Sequence, residues 1–244
     1  LGVLAGLEVI RSFKDQALSL RHPLEVVAFA DEESTMVGCK GMTGVASDNP
    51  ADYTCSNGQS ISDNLPRTGG NWQQLAQARR SDDAIAAFVE LHVEQGGILE
   101  SRGDAIGLVE GVVGQRRFLV RIEGQANHAG TTPMDARQDA LATAAHVILA
   151  VQELANNHPG DPVGTVGKLQ LWPNAANVVP GQVELSVDLR DLSLEVLSEL
   201  VEDLESRLHS ISRASGCRIS LLPQFSVDPT PAHLSVTAAI AASA

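Results

Sequence analysis

The sequence is poor in aromatic residues and in basic residues. Phe, Trp and Tyr together make up 3% of the 244 residues, which argues against the stacking platforms that bind single-stranded nucleic acids. Seventeen basic and thirty acidic side chains give a formal net charge of -13, which repels phosphate backbones and anionic membranes. No apolar run approaches the roughly 18 residues of a membrane-spanning helix. We therefore expect neither a nucleic acid nor a membrane as partner.

Cysteine is also scarce, with only Cys39, Cys55 and Cys217. An odd number of cysteines without a CxxC pair predicts no disulfide framework and indicates a reducing, cytoplasmic compartment. Hydrophobic residues still make up 43% of the chain, enough to bury a core. Because the first residue is Leu1 and not Met, we expect the chain to be an internal piece of a longer protein.

The first hundred residues have the pattern of an α/β domain. Apolar side chains at helical spacing predict a helix within residues 1–20. The apolar run 24–30 is typical of a strand buried on both faces of a parallel sheet. Residues 87–94 alternate and predict a second strand, whereas the Asn-, Asp-, Ser- and Gly-rich segment 47–70 indicates a loop.

Beyond Gly114 the pattern changes to a smaller α+β arrangement. The predicted elements are a strand around 118–122, a helix opened by Thr132 and Pro133, strands around 163–171 and 183–190, a helix from Ser193 to Gly216, and a strand over 218–222. This β-α-β-β-α-β order is that of a ferredoxin-like domain. We therefore predict an incomplete α/β domain with an inserted ferredoxin-like α+β domain, divided as 1–113, 114–227 and 228–244.

Three adjacent carboxylates, Asp31, Glu32 and Glu33, follow the first predicted strand. Ligands of open α/β sheets gather at the carboxyl ends of strands. One carboxylate there could bind a divalent metal while its neighbour acts as a base toward water. The alternative is an acidic loop that simply faces solvent.

Further candidate side chains end other predicted elements. His92 and Glu94 share one face of the second strand, and imidazole is a common ligand of zinc. His128 precedes a predicted helix, where it could donate to a developing oxyanion, unless it is incidental to a capping turn. Arg190 lies on the polar face of its strand and could clamp a carboxylate, or form an ion pair with Asp188 or Asp191.

Five segments in this order resemble the hydantoinase/carbamoylase branch of the dimetal M20 amidohydrolase family. They are Ala30-Asp31-Glu32-Glu33, Leu91-His92-Val93-Glu94-Gln95-Gly96, Asn127 to Met134, Asn177-Val178-Val179-Pro180-Gly181, and Asp188-Leu189-Arg190. The resemblance implies a metallopeptidase-like catalytic domain, and it makes the inserted domain a lid that also mediates homodimer formation.

The resemblance also implies residue roles. Glu32 would be the general base that helps to form a metal-bound hydroxide, and His128 would polarise the scissile carbonyl. Gln95 would face the substrate, and Asn177 and Arg190 would hold its carboxylate. Some of these residues of the lid domain would reach the partner subunit's site. Glu33 and His92 would be ligands of a pair of Mn or Zn ions.

The implied reaction cleaves a ureido or amide C–N bond of a small carboxylate and releases ammonia and CO2. Allantoate is the preferred substrate, with N-carbamoyl-L-amino acids and ureidoglycolate as alternatives. A metallopeptidase or aminoacylase of the same superfamily is a second possibility, and a pseudoenzyme or dimerisation module is a third.

Two departures from the family pattern affect these expectations. The loop after Glu33 is shorter than in many relatives and lacks their Gly-x-Arg-Phe segment, since Ser34-Thr35-Met36-Val37 stands there. Only two of five expected metal ligands are present, because the upstream His-x-Asp motif, the bridging Asp and a C-terminal His are missing. We therefore expect this chain by itself to be inactive and its full-length parent to be the hydrolase.

Overall fold

The computed structural model describes residues 1–243, and the chain divides into two compact units, Leu1–Ala105 and Ile106–Ala244. Both units contain helices. Within the described residues, all strands of the β-sheets belong to the second unit. The predicted three-part division at residues 113 and 227 stays a prediction. No helix within residues 1–243 combines the length and the apolar character that a membrane crossing requires.

The first unit is built from short helices around a small apolar cluster. Its α-helices are α1 (Gly2–Asp15), α2 (Val37–Thr43), α3 (Ile61–Asn64) and α4 (Ile98–Arg102). The segment predicted as a loop, 47–70, contains α3 and two short 3-10 turns. It also supplies Tyr53, Cys55, Ile61 and Leu65 to a buried cluster with Val37. These spaced apolar residues give the polar segment its own anchor, which composition alone did not predict.

The two strands predicted in this unit are not formed as sheet strands. Residues 24–30 and 87–94 lack a hydrogen-bonded ladder in the described part of the chain, so the strand prediction is wrong here. They do lie close together, since the rings of Phe29 and Phe88 are 6.4 Å apart. A strand requires edge partners, and without them Phe88 remains 55% exposed. Helix α1 approaches both segments through Gly2, beside the carbonyl of Leu91, and Gly6, beside Val26.

The second unit contains the predicted antiparallel sheet. Its strands are β1 (Gly111–Val112), β2 (Gly114–Glu123), β3 (Asn127–His128), β4 (Val163–Thr165), β5 (Leu169–Trp172), β6 (Val178–Val179), β7 (Gln182–Asp191), β8 (Arg218–Val227) and β9 (Thr230–Pro231). The main sheet has the order β4-β7-β2-β8, and β5 also pairs with β7. This strand order is the one expected of a β-α-β-β-α-β domain, although the strand predicted over 163–171 is divided into β4 and β5.

Helices α5 (Ala140–Asn157) and α6 (Leu194–Ser215) cover one face of this sheet, and a shorter helix, α7 (Leu234–Ala241), follows β9. Alternate residues of β7 point into the core, as predicted, because side chains in a strand alternate between its faces. The fully buried residues of β7 are Val183, Leu185, Val187 and Leu189. The other face of β7 carries Glu184, Ser186, Asp188 and Arg190.

Helix α6 has its predicted limits, with Ser193 as N-cap and Gly216 in a left-handed conformation after it. The predicted start of α5 at Thr132 and Pro133 is wrong. Asp139 caps this helix instead, because its Oδ1 accepts hydrogen bonds from the N–H groups of Leu141 and Ala142. The intervening residues Met134–Ala136 form only a 3-10 turn.

Candidate active site

The predicted catalytic carboxylates lie in a tight turn that Asp31 organises. Asp31 has a left-handed backbone, with φ of 50°. Its Oδ2 accepts hydrogen bonds from the N–H of Thr35 at 3.1 Å and from the Thr35 hydroxyl at 2.5 Å. Its carbonyl accepts the N–H of Met36 at 2.8 Å. The carboxylate and the carbonyl of Asp31 therefore accept hydrogen bonds within the turn, whereas Glu32 and Glu33 are exposed to solvent.

The pKa of Cys39, near the start of α2, is affected by charged residues around this turn. Burial raises the pKa of the Cys39 thiol, and the nearby negative charges of Glu32 and Glu90 raise it further. The thiol therefore stays protonated at neutral pH.

The second motif surrounds the N-terminus of α4. Glu94 Oε1 accepts hydrogen bonds from the N–H groups of Ile98, at 2.8 Å, and Leu99, at 3.1 Å. A carboxylate at this position compensates the unpaired amides and the positive end of the helix dipole. Glu94 thereby closes the loop that holds Gln95, which has a positive φ of 55°. His92 is exposed, and its Nδ1 lies 2.5 Å from the carbonyl oxygen of Val93.

The two predicted metal ligands do not form a metal centre by themselves. Glu33 and His92 have suitable oxygen and nitrogen donors, but both are exposed. Within residues 1–243, no group of three His, Cys, Asp or Glu side chains is placed to hold a metal ion. A zinc site takes about four ligands, at least three of them from the protein. These residues alone do not fit a dimetal centre.

His128 is held in a hydrogen-bonded turn of the second unit. Its Nδ1 accepts the N–H of Gly130 at 3.1 Å, so this nitrogen carries a lone pair and the neutral ring bears its proton on Nε2. The His128 carbonyl accepts the hydroxyl of Thr132 at 2.7 Å. The exposed ring therefore offers Nε2–H as a hydrogen-bond donor to a ligand.

Asn177 lies beside His128. Strand β3 pairs with β6 in the register His128 to Val178, and the N–H of Ala129 donates to the carbonyl of Asn177 at 2.9 Å. The side chain of Asn177 is exposed. Two of the predicted substrate-contacting residues are thus brought together by local strand pairing.

Arg137 stabilises the same turn through hydrogen bonds to its backbone. Its guanidinium donates to the carbonyls of Thr132, at 3.1 Å, and Ala129, at 2.7 Å. Arg137 was not predicted as a site residue, because contacts of a side chain with backbone carbonyls leave no signal in the sequence.

Arg190 is paired with carboxylate Asp188, the alternative that the sequence had left open. Its Nε and Nη2 donate to Oδ1 and Oδ2 of Asp188 at 2.9 and 3.0 Å. Arg190 lies opposite Gln115 in the sheet. Strand β3 follows β2 and strand β6 precedes β7 at the other end, where Gln182 pairs with Glu123. Gln182 and Arg190 are eight residues apart, about 26 Å along a strand. The structure therefore does not bring Arg190 together with His128.

The chain spans just over half the length of the curated relatives that it matches. An N-carbamoyl-L-amino acid amidohydrolase from Geobacillus stearothermophilus is 37% identical over 225 residues, which cover 90% of this chain and 55% of that protein. An allantoate amidohydrolase from Bacillus subtilis is 35% identical over 236 residues, which cover 94% of this chain and 57% of that protein.

The fold is also that of solved relatives. An amidase of the hydantoinase/carbamoylase family from Burkholderia multivorans superimposes with a TM-score of 0.88 at 33% identity, covering 98% of this chain and 59% of that one. The sequence profile of peptidase family M20/M25/M40 matches residues 1–240. The motifs, the fold and these matches together show that the chain belongs to peptidase family M20/M25/M40.

Proposed function

We propose that the complete protein hydrolyses a C–N bond of a ureido group in a small carboxylate, with allantoate as the preferred substrate. The observation that carries this proposal is the hydrogen bond from the Gly130 N–H to His128 Nδ1, which leaves Nε2–H as the donor available to a substrate. A neutral imidazole donor stabilises negative charge that develops on a carbonyl oxygen. The relatives that match this chain include allantoate and N-carbamoyl-L-amino-acid amidohydrolases.

In the proposed reaction, Glu32 accepts a proton from the attacking water, whose oxygen bonds to the ureido carbon. His128 donates a hydrogen bond to the carbonyl oxygen, and Gln95, Asn177 and Arg190 bind the rest of the substrate. The proton passes to the leaving nitrogen as the C–N bond breaks. The released carbamate decomposes to ammonia and CO2.

A dimetal centre belongs to the proposal for the complete protein only. Two divalent ions, Mn or Zn, would use Glu33 and His92 as two of their ligands and would lower the pKa of bound water. Such oxygen and nitrogen donors suit both metals. Metal analysis of the complete gene product is expected to find two ions per chain, with loss of metal in the His92→Ala variant.

A homodimer is proposed because Arg190 and Asn177 flank opposite ends of β7. A single small carboxylate cannot span about 26 Å, so both residues would contact one substrate only if they came from different copies. The free cysteines Cys39, Cys55 and Cys217 support a reducing, cytoplasmic location.

The test is ammonia release by the complete gene product with added Mn, on allantoate and on a panel of N-carbamoyl-L-amino acids. Allantoate should be turned over preferentially, and Glu32→Gln should abolish turnover while Glu25→Gln, at an exposed pair with Arg80, should not. His128→Gln should lower kcat by about 10² to 10³, with exposed His146→Gln as its control. Turnover of carbamoyl amino acids alone would mean that these compounds, and not allantoate, are the substrates. No turnover of either kind of compound, despite bound metal, would favour a pseudoenzyme.

A further inference from the structure

The outer face of the main sheet carries a connected row of charged and aromatic side chains at one end. Asp188 on β7 lies opposite Arg117 on β2 and two residues from Arg190. Its Oδ2 accepts the Nε–H of Arg117 at 2.7 Å as well as an Nη2–H of Arg190, and its Oδ1 accepts the Nε–H of Arg190. Arg117 in turn stacks on Phe225 of β8, with its guanidinium carbon 5.5 Å from the ring centre.

This arrangement uses Arg190 on one edge only. A guanidinium has five N–H donors in a planar fork. Asp188 occupies the edge formed by Nε and Nη2, and within residues 1–243 Nη1 of Arg190 has no hydrogen-bond partner. The remaining edge, formed by Nη1 and the second Nη2 proton, has the geometry for a bidentate bond with a carboxylate.

The charges favour the same assignment. Two guanidinium groups and one carboxylate leave one net positive charge, so the group still attracts an anion. Burial of Asp188 raises the pKa of its carboxyl, but the hydrogen bonds from Arg190 and Arg117 outweigh this effect and keep the pKa below its usual value. Asp188 therefore stays ionised near neutral pH, and its hold on Arg190 persists.

We propose that Asp188 is a positioning residue that fixes Arg190, that Arg117 fixes Asp188 in turn, and that the three together present the free edge of Arg190 to the substrate carboxylate. This inference rests on the proposed function, in which Arg190 binds that carboxylate. Asp188 itself carries a negative charge and would not touch the substrate. Its contribution is to restrict the flexible arginine to one orientation before binding.

The same two strands provide a matched control. Arg121 and Glu184 also lie directly opposite each other on β2 and β7, and Arg121 Nε donates to Glu184 Oε1 at 2.9 Å. The exposures of the two pairs are nearly equal, 46% and 22% for Arg117 and Asp188 against 42% and 21% for Arg121 and Glu184. The control pair has no hydrogen bond with Arg190 in the described residues.

The first experiment compares KM and kcat of the complete gene product, its Asp188→Asn variant and its Glu184→Gln variant. Without Asp188, the Arg190 side chain can adopt many rotamers. Binding of the carboxylate substrate must then fix that side chain, and this loss of rotamer freedom should weaken binding by about 30-fold. Removal of the negative charge should improve binding by roughly threefold. The expected net result is a roughly tenfold rise in KM with little change in kcat, and no rise for Glu184→Gln or for a carboxamide analogue of the substrate.

The sign of the KM change is decisive. A fall in KM for Asp188→Asn would mean that Asp188 acts only through its charge, and an equal loss with the carboxamide analogue would mean a general structural role. Either result overturns the proposal. Arg117→Gln should raise KM in the same direction by a smaller factor, and it serves as the second variant if Asp188→Asn does not fold.

A second measurement does not depend on turnover. The Nε–H proton of Arg190, observed by NMR, should exchange with solvent about tenfold faster in Asp188→Asn and unchanged in Glu184→Gln. If the wild-type protein hydrolyses no carboxylate substrate, the proposed function fails, and this proton still shows whether Asp188 holds Arg190. Unchanged exchange in Asp188→Asn would overturn the positioning role.

Discussion

The turn that holds His128 should loosen when Arg137 is replaced by Met. The substitution keeps much of the apolar stem but removes the donors to the carbonyls of Ala129 and Thr132. Each such bond from a half-buried cation is worth about 1 kcal/mol after exchange with water. Loss of both should lower the free energy of opening the turn by about 2 kcal/mol, a factor of about 30 in the opening equilibrium.

Hydrogen exchange of backbone amides measures this opening directly. The informative amides are those of Ala129, bonded to the carbonyl of Asn177, and Thr132, bonded to the carbonyl of His128. Both should exchange about 30-fold faster in Arg137→Met, whereas core amides of β7 should change much less. The matched control is Arg207→Met, because within residues 1–243 the Arg207 side chain forms only an exposed pair with Glu153 at 3.3 Å.

Equal exchange at both amides in the variant and the wild type would refute this reasoning. A uniform increase across β7 would also contradict it, because global destabilisation and not local opening would then be the cause. If the turn loosens as expected, the hydrogen bond from Gly130 to His128 weakens with it. The same variant of the complete gene product should then lose activity without losing its fold.

Three further predictions concern the second unit. Leu200→Ala, at a fully buried position of α6, should lower the free energy of unfolding in urea by about 3 kcal/mol; Leu194→Ala, at an exposed position, should change it by less than about 0.5 kcal/mol. The hydrogen bond with Glu199 raises the pKa of His158 in the folded state. His158→Gln should therefore lower Tm most below about pH 6.5, and the loss of Tm should shrink as pH rises through the higher pKa of the folded state. An equal loss of Tm at pH 9 would contradict this. Asp139→Ala should cost about 1 kcal/mol in the same urea assay through loss of the α5 cap, and no change would argue against its two hydrogen bonds.

The sequence by itself determined the elements whose signals are local. The alternation of β7 assigned its inward and outward residues correctly, because period two is a property of the strand itself. Ser193 and Gly216 marked both ends of α6 for a similar reason, since caps act within one turn. Family membership followed from five short motifs whose order the chain preserves.

The tertiary structure decided whatever depends on partners distant in sequence. Residues 24–30 have the composition of a buried strand, yet a strand forms only where another segment supplies a ladder. Local pairing placed His128 beside Asn177, and the length of β7 separated them from Arg190. The contacts of Arg137 and of Arg117 were equally invisible in the sequence, because hydrogen bonds between side chains and distant groups have no periodic pattern.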